Sequence, residues 1–217
     1  MKLERMDAFF DSRLDGYEEH QLTCIESAEI FYPYTASLLP MTPGCEVLDL
    51  GCGTGLELAA YFERNPDAAV TGIDLAKGML ETLRSKFPDK RLVLYNDSYF
   101  DRSFGIGCFD AAVSVESLHH FTQAQKIPLY RKVFEALKPG GYFVLTDYMV
   151  DDEEEERLHV AELSRLKKEQ ELPEGGLFHY DTPLTWVHEM QALYAGGFRY
   201  VKLVRRWGNT VLLKAVR

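Results

Sequence analysis

A glycine-rich segment carries the clearest chemical signal in this sequence. Val47–Gly55 reads VLDLGCGTG, so that three glycines alternate with Cys52 and Thr54 directly after an apolar run. Glycine lets a backbone approach a ligand closely and adopt positive φ. A dinucleotide fingerprint needs glycine where this chain has Leu56, and the Lys-Ser/Thr ending of a phosphate-binding loop is absent. The segment therefore predicts a ligand-binding turn, and pyrophosphate is not the favoured ligand.

Two adjacent histidines form the second group with chemical potential. They close the segment Glu116–His120, which reads ESLHH. Imidazole titrates near pH ~6.5, so His119 or His120 is a candidate to take a proton from a substrate. The alternative is that both histidines pack against the following helix or cap it. We expect no metal site, because neighbouring side chains on a helix do not face one point and no His/Cys cluster has zinc spacing.

The elements that must position these residues alternate along the central part of the chain. Short apolar runs, which predict strands, are separated by helical patterns, and this order favours parallel strands with right-handed crossovers. Continuously apolar strands fit a sheet that is covered on both faces. The predicted strands cover residues 46–50, 69–73, 91–95, 109–115 and 142–146, and the predicted helices cover residues 54–64, 76–87 and 123–137.

The flanking regions differ from this alternation. Residues 1–40 look helical and are rich in aromatic side chains, and residues 151–195 interrupt the alternation with two helical patterns. Residues 198–216 read as two strands around the hairpin-type turn Gly208-Asn209. With no Pro/Ser-rich linker, we expect one domain over residues 1–217, with a helical cover at 1–40 and a helical lid at 151–195. The acidic run 151–156 fits a solvated helix start, or attracts a cationic acceptor.

Composition narrows the class of protein. The 217 residues include 34 acidic and 24 basic side chains, which gives a formal net charge of −10. This balance argues against a nucleic-acid partner, since phosphate contacts need clustered Lys and Arg. The four cysteines are scattered, the first residues lack the apolar core of a signal peptide, and no apolar run approaches the ~20 residues of a membrane span. We expect a cytoplasmic protein with free thiols and no membrane partner.

Several segments, in order along the chain, resemble the motifs of class I S-adenosylmethionine-dependent methyltransferases. Asp49–Gly55 resembles motif I, and Thr71–Ala76 resembles motif II with its acidic residue at the end of the second strand. Asn96-Asp97-Ser98 follows the third strand, where the family has an acid that contacts adenine. Phe109–Phe121 resembles motif IV, and Leu137–Leu145 resembles the segment that leads into strand five.

The resemblance implies a fold and a cofactor site. The fold is α/β, a Rossmann-like, seven-stranded, mostly parallel sheet with order 3-2-1-4-5-7-6, an antiparallel strand 7, and helices on both faces. The cofactor is S-adenosyl-L-methionine, which leaves as S-adenosyl-L-homocysteine. Asp74 would accept the ribose hydroxyls (its alternative role is a helix N-cap), and Asp97 with Ser98 would contact adenine (its alternative role is a turn residue). The full set of expected cofactor contacts is Tyr17, Asp49, Gly51, Cys52, Gly53, Asp74, Leu75, Met79, Asp97, Ser98 and Glu116.

The activity implied is transfer of a methyl group by in-line displacement, for which alignment alone is worth ~7–11 kcal/mol. The acceptor is expected to be a small molecule, with His119, His120 or Tyr148 as candidate catalytic groups. The alternatives are an RNA or protein methyltransferase, suggested by the basic C-terminal hairpin, and a non-catalytic protein that binds S-adenosylmethionine. The N-terminal aromatics cover either the site or a second copy, so a homodimer stays open. Tyr32, like Tyr17, is an expected contact from the N-terminal cover over the cofactor. His179, Tyr180 and Trp186 are expected, with Tyr148, to line the acceptor pocket.

Overall fold

A single seven-stranded sheet organises the protein. The computed structural model describes all 217 residues. The strand order is β3-β2-β1-β4-β5-β7-β6; β1 to β5 pair in parallel, and β7 lies antiparallel to both β5 and β6. This is the expected fold. The strands are β1 (Glu46–Leu50), β2 (Ala69–Asp74), β3 (Arg91–Asn96), β4 (Phe109–Val115), β5 (Leu137–Tyr148), β6 (Tyr200–Trp207) and β7 (Thr210–Val216).

Eight helices surround the sheet, and none of them has the length and apolar character that a membrane crossing requires. Helix α4 begins two residues later than predicted because Gly55, at φ 73°, occupies a left-handed conformation before it. The helices are α1 (Met6–Asp11), α2 (Tyr17–Cys24), α3 (Ala28–Ser37), α4 (Leu56–Arg64), α5 (Lys77–Lys86), α6 (Gln123–Ala136), α7 (Glu153–Glu169) and α8 (Trp186–Ala195).

The strand β5 is longer than the sequence predicted. It begins at Leu137, directly after α6, and passes through Pro139-Gly140-Gly141, which the pattern had indicated as a break. Leu137 pairs with Phe109, and the register then shifts before regular pairing resumes at Ala111. The proline and glycines therefore lie in an irregular stretch of the strand, where Pro and Gly are tolerated.

Alternate side chains of the central strands build a core on each face of the sheet. Leu48 and Leu50 of β1 belong to one cluster together with α6 and α8, whereas Val47 belongs to the opposite cluster with α3 and α4. This alternation follows from the period of two along a strand. The sheet is thus covered on both faces, as its apolar strands predicted.

An ion pair lies buried between α6 and α8. The Lys126 ammonium and a Glu189 carboxylate oxygen are 2.5 Å apart, with side chains 1 % and 0 % exposed. The Tyr130 hydroxyl donates a hydrogen bond to the same carboxylate. Lysine and glutamate are almost never fully buried unless they are paired. The pair therefore joins the two helices that cover one face of the sheet.

Residues 151–185 and the N-terminal chain contact each other away from the sheet. The amide of Met6 donates to Leu177, and the amide of His179 donates to Glu4, at 3.1 and 3.0 Å. Helix α8, which we had included in the lid, packs instead on α6 and contributes Leu193 to the main core. A lid built by this insertion is therefore confined to residues 151–185.

The acidic run at 151–156 begins a helix, as expected, but it is not uniformly solvated. Asp152 caps α7 by accepting a hydrogen bond from the Glu154 amide. Glu156 is largely buried and accepts from the Thr185 amide at 2.6 Å. Its carboxylate also lies 2.9 Å from the His188 ring. The run therefore fastens α7 to the start of α8.

Candidate functional site

The glycine loop between β1 and α4 is held by the end of β2. The Gly51 amide donates to the Ile73 carbonyl at 2.8 Å, and the Gly53 amide donates to one Asp74 carboxylate oxygen at 2.9 Å. The second Asp74 oxygen accepts from the Ala76 amide at 2.8 Å. Burial raises the pKa of Asp74, and these two backbone donors oppose the shift. One carboxylate thus fixes the loop and caps the next helix.

A narrow cleft of about 50 Å³ lies on the open side of this loop. Its floor is the glycine loop and the ends of β2 and β4, and its roof is α1 and the start of α2. A Cβ added at Gly53 would meet only the Tyr17 hydroxyl, at 3.9 Å, so the backbone there faces the cleft directly. The lining residues are Met6, Phe10, Tyr17, Gly51, Gly53, Asp74, Leu75, Met79, Tyr99, Val115, Glu116, Ser117 and His120.

A larger cavity of about 870 Å³ adjoins the cleft. Phe10, Tyr17, Glu116 and His120 line both spaces, so they form the boundary between them. Residues between 13 and 26, in α2 and the segments on either side of it, supply much of the remaining wall, and most of the residues that line the cavity are polar. Aromatic side chains join the wall from α1 (Phe9), β5 (Tyr148) and β6 (Trp207), together with imidazoles and the Asp181 carboxylate. A ligand in the cleft and another in the cavity would therefore meet at this boundary.

His119 lies between two carboxylates. Its Nδ1 is 2.6 Å from an Asp147 oxygen, and its Nε2 is 3.6 Å from an Asp181 oxygen. Burial lowers the pKa of His119, but the carboxylates of Asp147, Asp181 and Glu116 outweigh it and raise the pKa to about 9. The imidazole is thus held as a cation at neutral pH.

His120 reaches the same Asp181 carboxylate from the other side. Its Nδ1 lies 3.0 Å from Asp181 Oδ1 and 3.3 Å from the Tyr180 carbonyl oxygen. Burial lowers the pKa of His120, and the neighbouring His119 lowers it further. Residues 117–120 form a turn and not a helix, so the expectation that adjacent histidines cannot face one point was wrong in its premise.

Glu116 sits at the boundary with a strained backbone. Its φ is 49°, a left-handed conformation that a non-glycine residue adopts at some cost. The Thr210 hydroxyl donates to its carboxylate at 3.0 Å. Burial raises the pKa of Glu116 to about 7, although the charge on His119 opposes this. Strain of this kind persists where the surrounding structure holds it, and it clusters at functional sites.

The chain is similar to known proteins in sequence and in fold. A family model described as a methyltransferase domain matches residues 47–141. Residues 47–141 are thus a methyltransferase domain, which supports the expected class I S-adenosylmethionine-dependent methyltransferase. It is 34 % identical over 115 residues to the O-methyltransferase cnsE of Penicillium expansum, covering 50 % of this chain and 40 % of that protein. It is 22 % identical over 179 residues to a carboxy-S-adenosyl-L-methionine synthase of Campylobacter fetus, covering 78 % and 76 %.

A solved structure agrees with the fold of this methyltransferase domain. A putative O-methyltransferase from Nostoc punctiforme aligns with a TM-score of 0.71 at 19 % identity, over 100 % of this chain and 63 % of that one. The chain spans less than half the length of cnsE, so the fold and family are shared while the activity of the whole relative belongs to that relative. Solved structures that align with this chain include S-adenosylmethionine-dependent methyltransferases, and a phosphoethanolamine N-methyltransferase of Haemonchus contortus among them has S-adenosyl-L-methionine bound, which supports this cofactor.

The residues of this methyltransferase fit that cofactor. The ribose of S-adenosylmethionine needs an acceptor at the strand end, its adenine needs apolar walls, and its methionine part needs a close backbone approach. Asp74, the pair Leu75 and Met79, and the bare face of Gly53 lie side by side in the cleft. Seven of the eleven expected contacts line it: Tyr17, Gly51, Gly53, Asp74, Leu75, Met79 and Glu116.

Four expected cofactor contacts lie elsewhere. Asp97 accepts from the Ser98 amide at 2.8 Å and faces Arg102 at 3.2 Å, so its carboxylate is occupied by the turn and by an ion pair. Asp49 and Cys52 are buried behind the glycine loop, and neither lines the cleft. Burial and the nearby Glu57 carboxyl raise the pKa of Asp49, which indicates a structural carboxyl pair.

On the acceptor side, Tyr148 and His179 line the cavity, as expected. Tyr32 and Trp186 do not, because they pack in the two cores, and Tyr180 packs near α7. Phe9 and Phe10 belong to the aromatic N-terminal cover that was expected, whereas Asp147, Asp181, Trp207 and Asn209 were not predicted. Asp147 was detectable, since it ends β5 at the edge where ligands bind. Asp181 lies in an irregular segment with no pattern that would have revealed it.

The charge on His119 makes stability depend on pH. Its pKa of about 9 in the folded protein exceeds the ordinary 6.5, so its stabilisation is complete below pH 6.5 and is lost as pH rises through 9. The pKa of Glu116 is raised from 4.5 to about 7, so its contribution to stability also falls as pH rises, over a lower pH range. We expect the free energy of unfolding to fall by about 2–3 kcal/mol between pH 6 and 9, measured by urea denaturation.

The matched variants locate this effect. His119→Gln should flatten the pH dependence, because glutamine fills the site without a titrating proton. His20→Gln, on the exposed part of α2, should leave it unchanged. The groups that face His119 are the carboxylates of Asp147, Asp181 and Glu116 and the ring of His120. If the free energy of unfolding of the wild-type protein rises with pH over this range, the carboxylates do not hold His119 as a cation.

Proposed function

We propose that this protein transfers a methyl group from S-adenosylmethionine to a small molecule bound in the 870 Å³ cavity. The observation that supports this is the shared boundary of cleft and cavity at Phe10, Tyr17, Glu116 and His120. S-adenosylmethionine supplies a methyl carbon already activated by a positive sulfur. The protein then has to align an acceptor with that carbon and exclude water.

The chain's own residues divide this work. Asp74 binds the ribose hydroxyls, while Leu75 and Met79 enclose the adenine. Helices α1 and α2 form the cover over the cofactor. Asp11 accepts from the Gly78 amide at 2.8 Å, and Glu18 meets the Lys86 ammonium at 2.5 Å, so both helices are fastened to α5. Residues 151–185 form the lid over the acceptor.

A small acceptor is favoured over RNA because several basic residues of the C-terminal hairpin already have partners within the protein. Arg206 forms a two-point ion pair with Asp151, with both distances 2.6 Å. Lys214 lies over the Tyr142 ring at 3.5 Å, and Arg205 lies over Tyr34 and Trp207. Side-chain cations that already contact carboxylates and aromatic rings do not form the phosphate-binding patch that RNA requires.

Two measurements test the proposal. Isothermal titration should show binding of S-adenosylmethionine and S-adenosylhomocysteine, and a library of small hydroxyl and amine compounds should release S-adenosylhomocysteine with at least one acceptor. No binding of either nucleoside at high micromolar concentration would refute it. Binding without turnover of any compound would favour the non-catalytic alternative, and RNA binding that weakens with salt would favour the RNA alternative.

Asp74 provides the first variant for this titration. Asp74→Asn keeps the shape of the side chain but replaces one acceptor oxygen by a donor, which then faces either a backbone N–H or the ribose. We expect the dissociation constant of S-adenosylmethionine to rise roughly 10- to 100-fold, as for a lost charge-assisted pair of hydrogen bonds. Asp67→Asn, in the exposed turn before β2, is the control and should bind normally. Unchanged affinity for Asp74→Asn would remove the ribose role.

A further inference from the structure

We propose that His120 is the general base that takes the proton of the methyl acceptor, and that Asp181 is the residue that positions it. This assignment rests on the proposed function and extends it. The candidate groups named from the sequence are His119, His120 and Tyr148. Of these only His120 lines both the cleft and the cavity, and the charged and polar groups around each of the three distinguish them further.

His119 lies among carboxylates. Its Nδ1 is hydrogen-bonded to Asp147 at 2.6 Å, and its Nε2 lies 3.6 Å from an Asp181 oxygen, an ion-pair distance that is too long for a hydrogen bond. The carboxylate of Asp147 also accepts from the Leu118 amide at 2.8 Å, which fixes its orientation toward the ring. The carboxylates of Asp147, Asp181 and Glu116 all lie within 4 Å of the ring, and against its burial they raise the pKa of His119 to about 9. At neutral pH the ring is therefore a cation with a proton on each nitrogen, and it does not accept a further proton.

His120 has the opposite arrangement. Both groups near its Nδ1, the Asp181 carboxylate and the Tyr180 carbonyl, are acceptors only, so Nδ1 carries the proton. Its Nε2 has no hydrogen-bond partner in the protein, and the residue lines both the cleft and the cavity. A second proton is disfavoured by the charge on His119 nearby, whose ring centroid is 4.1 Å away. The free lone pair is therefore on Nε2.

The other neighbours of His120 are consistent with a neutral ring. Phe10 of α1 and His179 of the lid segment contact it, with ring centroids 6.2 and 4.9 Å away. His179 stacks on Phe9, and burial lowers its pKa to about 4, so it adds no charge at neutral pH. Tyr148 lines only the cavity, and burial raises its pKa, so it stays a hydroxyl donor.

The proposed step couples proton transfer to methyl transfer. The acceptor hydroxyl gives its proton to His120 Nε2 as its oxygen lone pair forms the new bond to the methyl carbon. The carbon–sulfur bond breaks, its electron pair neutralises the sulfur, and S-adenosylhomocysteine remains. Asp181 stabilises the resulting imidazolium, which returns its proton to water after release. A weakly acidic hydroxyl, as in a phenol or enol, matches a base of this kind, and the aromatic wall of the cavity suits such a ring.

Asp181 makes this base depend on the lid segment. The amide of Thr182 donates to the His119 carbonyl at 2.7 Å, which brings the carboxylate to both histidines. The same segment pairs with the N-terminal chain through the bridge between Arg5 and Phe178. Opening of the lid would therefore remove the group that orients His120.

Nitrogen NMR of the full-length protein with 15N-labelled histidine tests the assignment without an acceptor. We expect a neutral His120 with its proton on Nδ1 at pH 7, identified by the signal lost in His120→Gln. Asp181→Asn should keep this tautomer because its amide oxygen still accepts, whereas Asp181→Ala should shift it toward Nε2–H. A wild-type His120 that is charged or protonated on Nε2 would overturn the proposal.

Rates test the role with a phenolic acceptor found in the release screen. His120→Ala should lower kcat about 100-fold or more, keep the affinity for S-adenosylmethionine within a few-fold, and regain activity with added imidazole. Asp67→Asn, in the exposed turn before β2 and away from the cleft, the cavity and the lid, is the control and should keep the wild-type rate. A His120 variant with the wild-type rate would overturn the base role. Failure of the wild-type protein to bind S-adenosylmethionine would instead refute the proposed function.

Measuring the metal content of the purified protein tests whether the same atoms bind a metal ion instead. His119, His120 and Asp181 each offer one ligand atom, and these atoms lie within 4.8 Å of one another. We expect substoichiometric zinc in the purified protein and no change in the His120 signal on adding zinc. One tightly bound equivalent that is lost in Asp181→Ala would overturn the base assignment, because the nitrogens would then be ligands.

Discussion

Replacing Gly53 by alanine is expected to weaken S-adenosylmethionine binding about 100-fold or more while the protein still folds. The new methyl group would have nothing of the protein closer than the Tyr17 hydroxyl at 3.9 Å, so it would occupy the cleft itself. The cost to the fold is the left-handed φ of 47°, about 1–2 kcal/mol for a side-chain residue. The cost to binding is steric, since the cofactor must move away from the loop, and a 100-fold loss corresponds to about 2.7 kcal/mol.

A matched glycine separates the two costs. Gly107 also has a positive φ, of 62°, and its added Cβ would meet nothing within 4 Å, but it lies in the loop before β4 and does not line the cleft. Gly107→Ala should lose a similar amount of stability in urea denaturation and keep its affinity in isothermal titration. Equal affinities for the two variants would mean that the cofactor does not approach the loop at Gly53.

Lys126→Met is expected to destabilise the fold by about 3–5 kcal/mol, the usual cost of removing one partner of a buried ion pair. Methionine fills the space of the lysine stem, so the main loss is electrostatic. Glu189 would remain fully buried with only the Tyr130 hydroxyl as a donor. Urea denaturation at pH 7 measures the change, and the midpoint should fall without a change in slope.

Two controls make this result specific. Lys77→Met removes an exposed ion pair with Glu81 on α5, and we expect a change below about 1 kcal/mol. The double variant Lys126→Met/Glu189→Leu should recover most of the lost stability, because no unpaired charge is then buried. A double variant as unstable as Lys126→Met alone would show that packing, and not the uncompensated carboxylate, sets the cost.

Most residues that line the cleft could be predicted because they are close in sequence. The glycine loop and Asp74 lie within one strand–helix–strand unit, so the turn, the strand end and the following helix together define the cleft floor. Where the cleft lining differs from the expectation, the difference lies in the direction of the side chains. Asp49 and Cys52 are in the right segment but lie behind the loop, and a strand or turn pattern does not say which way a side chain in a tight turn points.

The order of the strands came from resemblance to a family, and the local patterns gave only their existence. The strand 109–115 was predicted with its observed bounds. A strand that is buried on both faces of the sheet is mostly apolar along its whole length, so its ends are visible in the sequence. The start of β5 was missed because Pro139-Gly140-Gly141 normally ends an element, and pairing with β4 carries the strand through it.

The amino-acid sequence by itself determined the sheet's strands, the ligand-binding turn and the family. These depend on periodicity and on contacts between residues near one another in the chain. Only the tertiary structure decided the acceptor side, where residues from α1, the turn after β4, the end of β5 and the lid segment meet. His119 and His120 are neighbours with the same chemistry, and their different partners, Asp147 and Asp181, make one a charged donor and the other a free base. A charge state depends on groups within a few ångströms, whatever their separation in sequence.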